Sequence, residues 1–506
     1  MPDTSRYVDT KSLRVQNLNA LNVLFIHPSK KLLGKKDPIY THESLTPALG
    51  LGVLSGYLRS KGVACRIIDL RLPHRSMEDV YRHIDEAKPT LIGITGFTTE
   101  IPAANAVAEK VRARWPHLPV ALGGPHATAV PEGVLSDYPS IDACVVGEGE
   151  NTTLQLLDIL AGRNGDLSQV KGIAYRTRSG TVKVNEPRPQ IDDLDSLPFP
   201  AWDLFEIKHY SDVFMVSSSR GCPYPCYFCT PSYLGRKTRV RDFRKVVDEI
   251  EHIVKKYDAR KIQFADATLS LMEENTHRLC QEIIDRGLNE KIEWVCETRA
   301  DSVSQPLLEK MKEAGCKWVA LGVETGDERI LRDIIKKGET REHIKNAVRL
   351  AKNAGIKVRC FFLFGHYTET AATIQNTINF AIELNPDALS FGLLVPNPGS
   401  QFRKMAVEGK GGMRVLHNRW EDYNQFNYDC YELEGLPVAE LKKWQSKAYY
   451  LFYMRHPIKG LKLFLDGAGY NYNLRALLTI PFMLLRNMAS GWLRLGEKSN
   501  NGSPFS

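Results

Sequence analysis

From Leu21 to Glu148, short apolar runs alternate with stretches whose apolar residues recur at helical spacing. LNVLFI (21–26), ACRIIDL (64–70), TLIGITG (90–96), LPVALGG (118–124) and DACVVGE (142–148) are nearly continuous apolar runs. Such runs suit strands buried on both faces. PALGLGVLSGYLRSKG (47–62), a polar segment at 76–87 and residues 101–115 carry the helical period, and a further helix is expected near 150–162. Five strands alternating with helices predict a parallel, doubly wound sheet. Ligands of such sheets gather at the carboxyl ends of the strands. Those ends carry His27, Thr95 with Gly96, Gly123 with Gly124, and Gly147 with Glu148.

The pattern then changes. GIAYRTRSGTVKVNEP (172–187) alternates apolar and polar positions around Ser179-Gly180, which predicts a hairpin. LDSLPFPAW (194–202) reads as a Pro-rich linker. A second strand–helix series follows, with strands at FMVSSS (214–219), KIQFAD (261–266), EWVCETRA (293–300), WVALGVE (318–324), VRCFFLFG (358–365) and ALSFGLLVP (388–396). Six βα units are fewer than the eight that close a barrel, so an open, partial (βα)6 barrel is expected, with its chemistry at the carboxyl-terminal face. The predicted organisation is α/β throughout. A leader occupies 1–20, a Rossmann-like domain 21–165, a hairpin and linker 166–205, the partial barrel 206–410 and a helical basic region 411–506.

Composition narrows the class. Hydrophobic residues make up 43% of the chain and charged residues 25%, as in ordinary globular proteins. The polar start predicts no signal peptide. No run of 18 apolar residues occurs, which predicts no membrane span. The net charge of +8 is carried after residue 440, where ten Lys and Arg face Asp466 and Glu497. The neutral main body argues against nucleic-acid binding. Without a secretory signal, the ten cysteines point to a reducing, cytoplasmic compartment rather than to disulfides.

Three cysteines are clustered. SRGCPYPCYFCT places Cys222, Cys226 and Cys229 in a C-x3-C-x2-C loop directly after the first strand of the second series. Thiolates are soft ligands that suit iron–sulfur clusters or zinc. Zinc would want a fourth Cys or His, and the nearest, His209, lies across a strand. A [4Fe–4S] cube held by three thiolates keeps one iron open, as a catalytic zinc site keeps a position open. Cys296, Cys316 and Cys360 read as small buried residues.

The cysteine loop at the first strand of a partial barrel resembles that of the radical S-adenosylmethionine (SAM) superfamily, over roughly residues 206–405. The resemblance implies a reduced cluster whose open iron chelates SAM, and reductive cleavage to a 5′-deoxyadenosyl radical that abstracts hydrogen from substrate. It also implies an electron donor such as flavodoxin or ferredoxin. It places Phe228 near adenine, Asp266 at the methionine amine, Arg299 at the carboxylate, Glu324 at ribose or the amine, and Gly365 in the turn after the fifth strand. Ala267 replaces a second acid, and His366 and Tyr367 replace the commoner small-Pro pair.

The first sheet, through TPALGLGVLSGYLRSKG, GGPHAT (123–128) and VVGEGE (145–150), is similar to the cobalamin-binding domains of B12-dependent radical SAM proteins. That similarity implies cobalamin contacts from Thr95, Thr98, Thr99, Gly123, Gly124, His126, Gly147 and Glu148. The D-x-H-x-x-G loop that supplies a lower histidine to cobalt is absent. The implied cofactor is therefore base-off, and His27 is not assigned as a ligand.

AYYLFYMRHPIKGLKLF (448–464) and NLRALLTIPFMLLRNM (473–488) combine aromatic, apolar and basic residues. They fit either a helix packed over the barrel mouth or a membrane-surface contact. Similar text occurs in relatives of the anaerobic magnesium-protoporphyrin ester cyclase, which hints at a lipophilic substrate. The expected activity is methyl transfer from methylcobalamin to an unactivated carbon of a small or lipophilic molecule. Oxidation or cyclisation without methyl transfer is the alternative, and a non-catalytic cluster or cobalamin sensor is the alternative of another class.

Overall fold

A computed structural model describes residues 21–35, 45–163, 165–177, 179–230, 234–425 and 429–459. The leader expected at 1–20 and the apolar stretch at 473–488 lie outside the described residues.

The N-terminal unit runs β1 (Asn22–His27), α1 (Leu49–Ser60), β2 (Ala64–Asp69), α2 (Met77–Ala87), β3 (Leu91–Thr95), α3 (Ile101–Arg114), β4 (Val120–Gly123), α4 (Pro125–Ala129), α5 (Pro131–Asp137), β5 (Ala143–Val145) and α6 (Gly149–Leu160). A hairpin, β6 (Ile173–Arg176) and β7 (Val182–Val184), follows. The sheet order is β2-β1-β3-β4-β5-β6-β7. The first five strands are parallel, as expected. The hairpin continues the same sheet, its first strand lying antiparallel to β5. Helix α2 illustrates the local logic. Ser76 and Asp79 form a reciprocal capping box, and Met77, Val80, Tyr81 and Ile84 make the buried stripe.

The second unit contains β8 (Val213–Val216), the short pair β9 (Ser219–Arg220) and β10 (Arg239–Val240), then α7 (Phe243–Tyr257), β11 (Lys261–Phe264), α8 (Glu273–Asp285), β12 (Glu293–Thr298), α9 (Gln305–Glu313), β13 (Cys316–Glu324), α10 (Arg341–Asn353), β14 (Lys357–Phe364), α11 (Ala371–Leu384) and β15 (Ala388–Leu393). Its six-stranded sheet has the order β15-β14-β13-β12-β11-β8. All pairs are parallel, and the two end strands do not meet, so the barrel is open. Strand periodicity separates its two faces. Val358, Cys360, Phe362 and Phe364 of β14 are buried, while Arg359, Phe361 and Leu363 between them are half-buried. The first set faces the helices and the second faces the concave interior.

The chain closes with α12 (Gln401–Val407), the hairpin strands β16 (Met413–Val415) and β17 (Tyr431–Leu433), and α13 (Val438–Arg455). Edge strand β15 would expose backbone groups. Tyr449 Oη accepts from Phe391 N at 3.0 Å, and Gln445 Nε2 donates to Phe391 O at 2.7 Å. Helix α13 thus satisfies the edge by packing on it. Lys35 Nζ meets Glu421 Oε1 at 3.2 Å, which brings the segment between β16 and β17 back to the N-terminal unit.

One hydrophobic core runs through both units. Val23 and Phe25 of the first sheet share it with Trp202, Phe205, Phe214 and Val216. Trp202, from the Pro-rich linker, sits edge-on to Phe214 at 5.6 Å. No helix among the described residues is long and apolar enough to cross a membrane.

Candidate active site

Cys222, Cys226 and Cys229 are free thiols, the first two half-buried and the third exposed. Their loop is fixed at several points. Cys222 N donates to Gly235 O at 3.1 Å, and Cys229 N donates to Cys226 O at 3.1 Å. Between the cysteines, buried Tyr227 pairs its hydroxyl with His366 Nδ1 at 3.0 Å and accepts from Tyr367 N at 3.3 Å. Burial raises the Cys226 thiol. Burial, then the neighbouring Cys226 and Cys222, push Cys229 up to about 11. A cationic centre among the three thiols removes that penalty. Three thiolates with no fourth Cys or His in their loop fit an iron–sulfur cluster that keeps one iron open.

The loop faces a charged group at the carboxyl ends of the barrel strands. Lys337 Nζ lies 3.0 Å from Glu339 Oε2 and 3.5 Å from Glu324 Oε1, and it also donates to Gly322 O. Glu324 ends β13 with a φ of 66°, a left-handed conformation at a register shift against β14. Strain of this kind persists where the surroundings impose it. The Glu324 carboxylate folds back over Gly322, where an added Cβ would stand 2.4 Å from Oε1. Burial raises the Glu324 carboxyl, while Lys337 opposes the rise. Arg299 is bound to Asp301 through Nε at 2.8 Å and Nη2 at 2.6 Å, and Nη2 also donates to Lys337 O at 2.6 Å. Its guanidinium lies 3.5 Å over the ring of Tyr224, inside the cysteine loop.

Asp266 is enclosed. It accepts from Ser218 N at 3.0 Å, from Ser218 Oγ at 2.8 Å and from Ser219 Oγ. Its carboxylate ties the segment after β8 to the end of β11. Glu297 differs. It falls on the concave face of β12 and is solvent-accessible. It also sits deep enough that desolvation raises its carboxyl, opposed by Lys337. Among the described residues it has no hydrogen-bond or ion-pair partner. Gly365, with a φ of 100°, donates its N–H to Glu369 Oε2, as does His366 at 3.1 Å. Beside Phe228 lies a cavity of about 290 Å³ with an aliphatic wall of Leu363, Leu393, Leu394 and Val395 and a polar edge at Asn397 and Gln425.

At the carboxyl edge of the N-terminal sheet, Gly124 takes a φ of 101°, and a Cβ there would stand 3.1 Å from Gly96 O and 3.2 Å from Thr95 Oγ1. Thr98 Oγ1 pairs with Nδ1 of buried His126 at 3.2 Å. Burial, then Arg403, hold that imidazole down at about 4, so it is neutral. Gly147 N donates to Thr128 Oγ1 at 3.0 Å, and open space lies beside Gly147. Phe97 is left 58% exposed between Gly96 and Thr98. Glycine cradles beside an uncovered aromatic suit a large flat ligand such as a corrin. Thr95, Thr98, Gly123, Gly124, His126 and Gly147 therefore gather on one edge. Glu148 turns elsewhere. It accepts from Arg220 Nη1 at 2.9 Å, Arg239 Nη1 at 3.0 Å and Ile191 N at 2.7 Å. Arg220 also binds Glu150 at 2.7 Å. That network joins the first sheet to the strand that leads into Cys222.

Sequence reasoning missed Glu297, Lys337, Arg220 and Glu369. Glu297 had a signal, since it lies two residues before Arg299 on the same strand and so on the same side as the interior positions. Arg220 sits on the two-residue strand β9 and Lys337 in a loop, and neither is long enough for periodicity to fix a direction.

A family model for the radical SAM superfamily matches residues 216–381, and one for the B12 binding domain matches residues 37–157. The chain is 31% identical over 414 residues to an uncharacterized methyltransferase of Pyrococcus horikoshii, covering 81% of this chain and 88% of that protein. It is 33% identical over 391 residues to the anaerobic magnesium-protoporphyrin IX monomethyl ester cyclase of Rubrivivax gelatinosus, covering 75% and 69% respectively. The solved radical SAM methyltransferase TsrM of Kitasatospora setae, with cobalamin and a [4Fe–4S] cluster bound, superposes with a TM-score of 0.67 at 19% identity, covering 86% of this chain and 89% of that one. The last likeness is one of fold.

Proposed function

The chain belongs to the radical SAM superfamily, in the branch that carries a B12-binding domain, and on that premise we propose that it methylates an unactivated carbon of a lipophilic small molecule. It is an enzyme whose cofactors are a [4Fe–4S] cluster, SAM and cobalamin. When bound, these groups supply reductive SAM cleavage and a corrinoid-borne methyl group. The observation that carries the proposal is the Glu148–Arg220 ion pair of 2.9 Å. It fastens the carboxyl edge of the N-terminal sheet to the root of the cysteine loop, so that both cofactor-binding edges belong to one site.

Each residue group has its part. Cys222, Cys226 and Cys229 hold three irons. Glu297, accessible and without a partner among the described residues, receives the methionyl ammonium of SAM. Glu324 and Lys337 set the electrostatics around it, and Arg299 braces the cysteine loop through Tyr224 while its remaining donors face the SAM carboxylate. The aliphatic cavity beside Phe228 takes the adenine and excludes water from it. Gly365 shapes the neighbouring turn. Asp266 holds the first barrel strand in place. On the opposite edge Thr95, Thr98, Gly123, Gly124, His126 and Gly147 cradle the corrinoid, and Glu148 acts as the joint. The reducing equivalent comes from a flavodoxin- or ferredoxin-type donor. The exposed end of α13 and the segment after it, where Met454, Arg455 and Ile458 face outward, touch a membrane surface, where a lipophilic substrate would reside.

The test is anaerobic turnover of reconstituted enzyme with SAM bearing a labelled methyl group. Formation of both 5′-deoxyadenosine and S-adenosylhomocysteine, with label entering an organic-soluble product, is expected. 5′-Deoxyadenosine with substrate consumed and no label transferred would favour the second reading, an oxidative cyclisation. That reading draws on the 33% identity to the ester cyclase.

A further inference from the structure

Arg403 is a half-buried cation placed at the seam between the two units. It lies two residues inside α12, just after the last barrel strand. Its Nη1 donates to Pro396 O at 3.3 Å and Tyr423 Oη at 3.0 Å, and its Nη2 donates to Asn418 Oδ1 at 2.9 Å. All three acceptors are neutral, and among the described residues it forms no ion pair. A guanidinium carries five donors in a fixed fork, so part of that fork remains unused.

Its surroundings point toward the corrinoid edge. The guanidinium lies 4.9 Å over the ring of Trp420, and Trp420 meets His126 edge-on at 4.9 Å. His126 in turn pairs with Thr98. A chain of contacts, Arg403–Trp420–His126–Thr98, therefore runs from α12 to the cradle of the first sheet. His126 is 2% exposed and neutral, so it supplies no charge of its own. Arg403 is the cation of that chain.

A partly desolvated arginine without a carboxylate costs stability unless an anion completes it. Cobalamin carries one built-in anion, the phosphodiester of its nucleotide tail, and arginine matches phosphate oxygens geometrically. We propose that Arg403, braced by Trp420, binds the tail phosphodiester of cobalamin, so that the C-terminal segment reads the nucleotide half of the cofactor. The inference rests on the cobalamin reading given above. It adds a residue from outside the B12-binding domain and a preference for corrinoids with a complete tail.

The test compares cobalamin with cobinamide, which has the corrin ring but lacks the phosphodiester and the base. Affinity of the full-length chain is measured by tryptophan fluorescence quenching and by corrinoid absorbance, with no turnover involved. Arg403→Gln should weaken cobalamin about tenfold, the scale of one charge-assisted hydrogen bond, and leave cobinamide unchanged. Arg403→Lys should retain part of the difference. Equal weakening of both corrinoids would assign Arg403 to packing alone and overturn the proposal, as would no change in either. An altered SAM affinity with unaltered cobalamin affinity would also overturn it by moving the anion to the other cofactor. If the wild-type chain bound neither corrinoid, the cofactor reading would fall first and the proposal with it.

Discussion

Glu148 Oε1 stands 2.9 Å from Arg220 Nη1, joining the last parallel strand of the first sheet to the residue two places before Cys222. Both side chains are largely buried, 4% and 15% exposed, and Arg239 contributes a second guanidinium 2.9 Å away. Breaking a buried pair from one side leaves an uncompensated charge and costs about 3–5 kcal/mol. Glu148→Ala leaves Arg220 with Glu150 alone and Arg239 with backbone carbonyls only, so denaturant unfolding should show a loss at the lower end of that range. Iron bound per chain after reconstitution should fall as well, because Arg220 roots the cysteine loop. A loss below about 1 kcal/mol would place the pair among ordinary surface contacts.

Cys226→Ala removes one of three ligands from a loop with no spare Cys or His. The expected result is loss of the cluster's visible absorbance together with 5′-deoxyadenosine formation. The N-terminal sheet folds around its own core, in which Leu24, Ile26, Ile92 and Ile94 are buried. Corrinoid binding should therefore survive in the same variant. Retained SAM cleavage would sink the ligand assignment.

Glu297→Gln keeps the size of the side chain and removes its charge. If Glu297 meets the methionyl ammonium, SAM affinity should drop about tenfold to a hundredfold, the worth of a charged hydrogen bond. Cluster absorbance and thermal stability should stay close to wild-type values, since no described residue hydrogen-bonds or ion-pairs with the carboxylate. Asp266→Asn should do the reverse. It disturbs three internal hydrogen bonds and should lower stability before it alters SAM affinity. An unchanged SAM affinity in Glu297→Gln would return the ammonium to Asp266 or Glu324.

This contrast marks what could be read from sequence. Strand positions were legible because apolar runs such as VRCFFLFG and LNVLFI have no stable alternative to a buried strand. The parallel order followed from alternation, and the cysteine site from spacing. The hairpin at 172–187 was legible as a hairpin, but its pairing with β5 was not, because edge pairing depends on what else covers that edge. Which acid at a strand end is tied up inside the fold is not written in local sequence, for a related reason. Asp266 follows β11 and Glu297 lies on β12, and only tertiary contacts reveal that Ser218 and Ser219 donate to the first. Glu148 lies just past a strand end, yet its partners Arg220 and Arg239 come from the short strand pair β9–β10, about 70 and 90 residues away, beyond any local pattern.

Gly322→Ala tests the strained end of β13. The Glu324 carboxylate occupies the space where a Cβ on residue 322 would stand, and Lys337 Nζ lies 3.0 Å from the same point. The methyl group must displace Glu324, breaking its approach to Lys337. We expect SAM cleavage to fall by at least an order of magnitude while cobalamin binding is retained, because the first sheet is untouched. Parallel corrinoid titration and 5′-deoxyadenosine assays measure the two effects separately, and equal losses would indicate general unfolding instead.

Glu369 gives the fold a pH dependence of definite sign. Its fully buried carboxyl is pushed up to about 8 by desolvation, against the backbone N–H groups of Gly365 and His366, which favour the anion. In the unfolded chain it titrates near 4.3. Below that value both states hold the proton, and the group contributes no slope. Between about 4.3 and about 8 the folded state keeps a proton that the unfolded state has lost, so stability declines as pH rises. Above about 8 both states are ionised and the slope vanishes, leaving the full penalty of a buried anion. Glu369→Gln cannot ionise, and its amide oxygen can still accept from Gly365 and His366. Denaturant midpoints of the wild type should therefore fall between pH 5 and pH 8 more steeply than those of Glu369→Gln. The variant should match the wild type at the acid end and exceed it at the alkaline end. Curves that run parallel across this interval would mean that Glu369 is already ionised in the folded protein, held by the two N–H groups at the turn beside the cysteine loop.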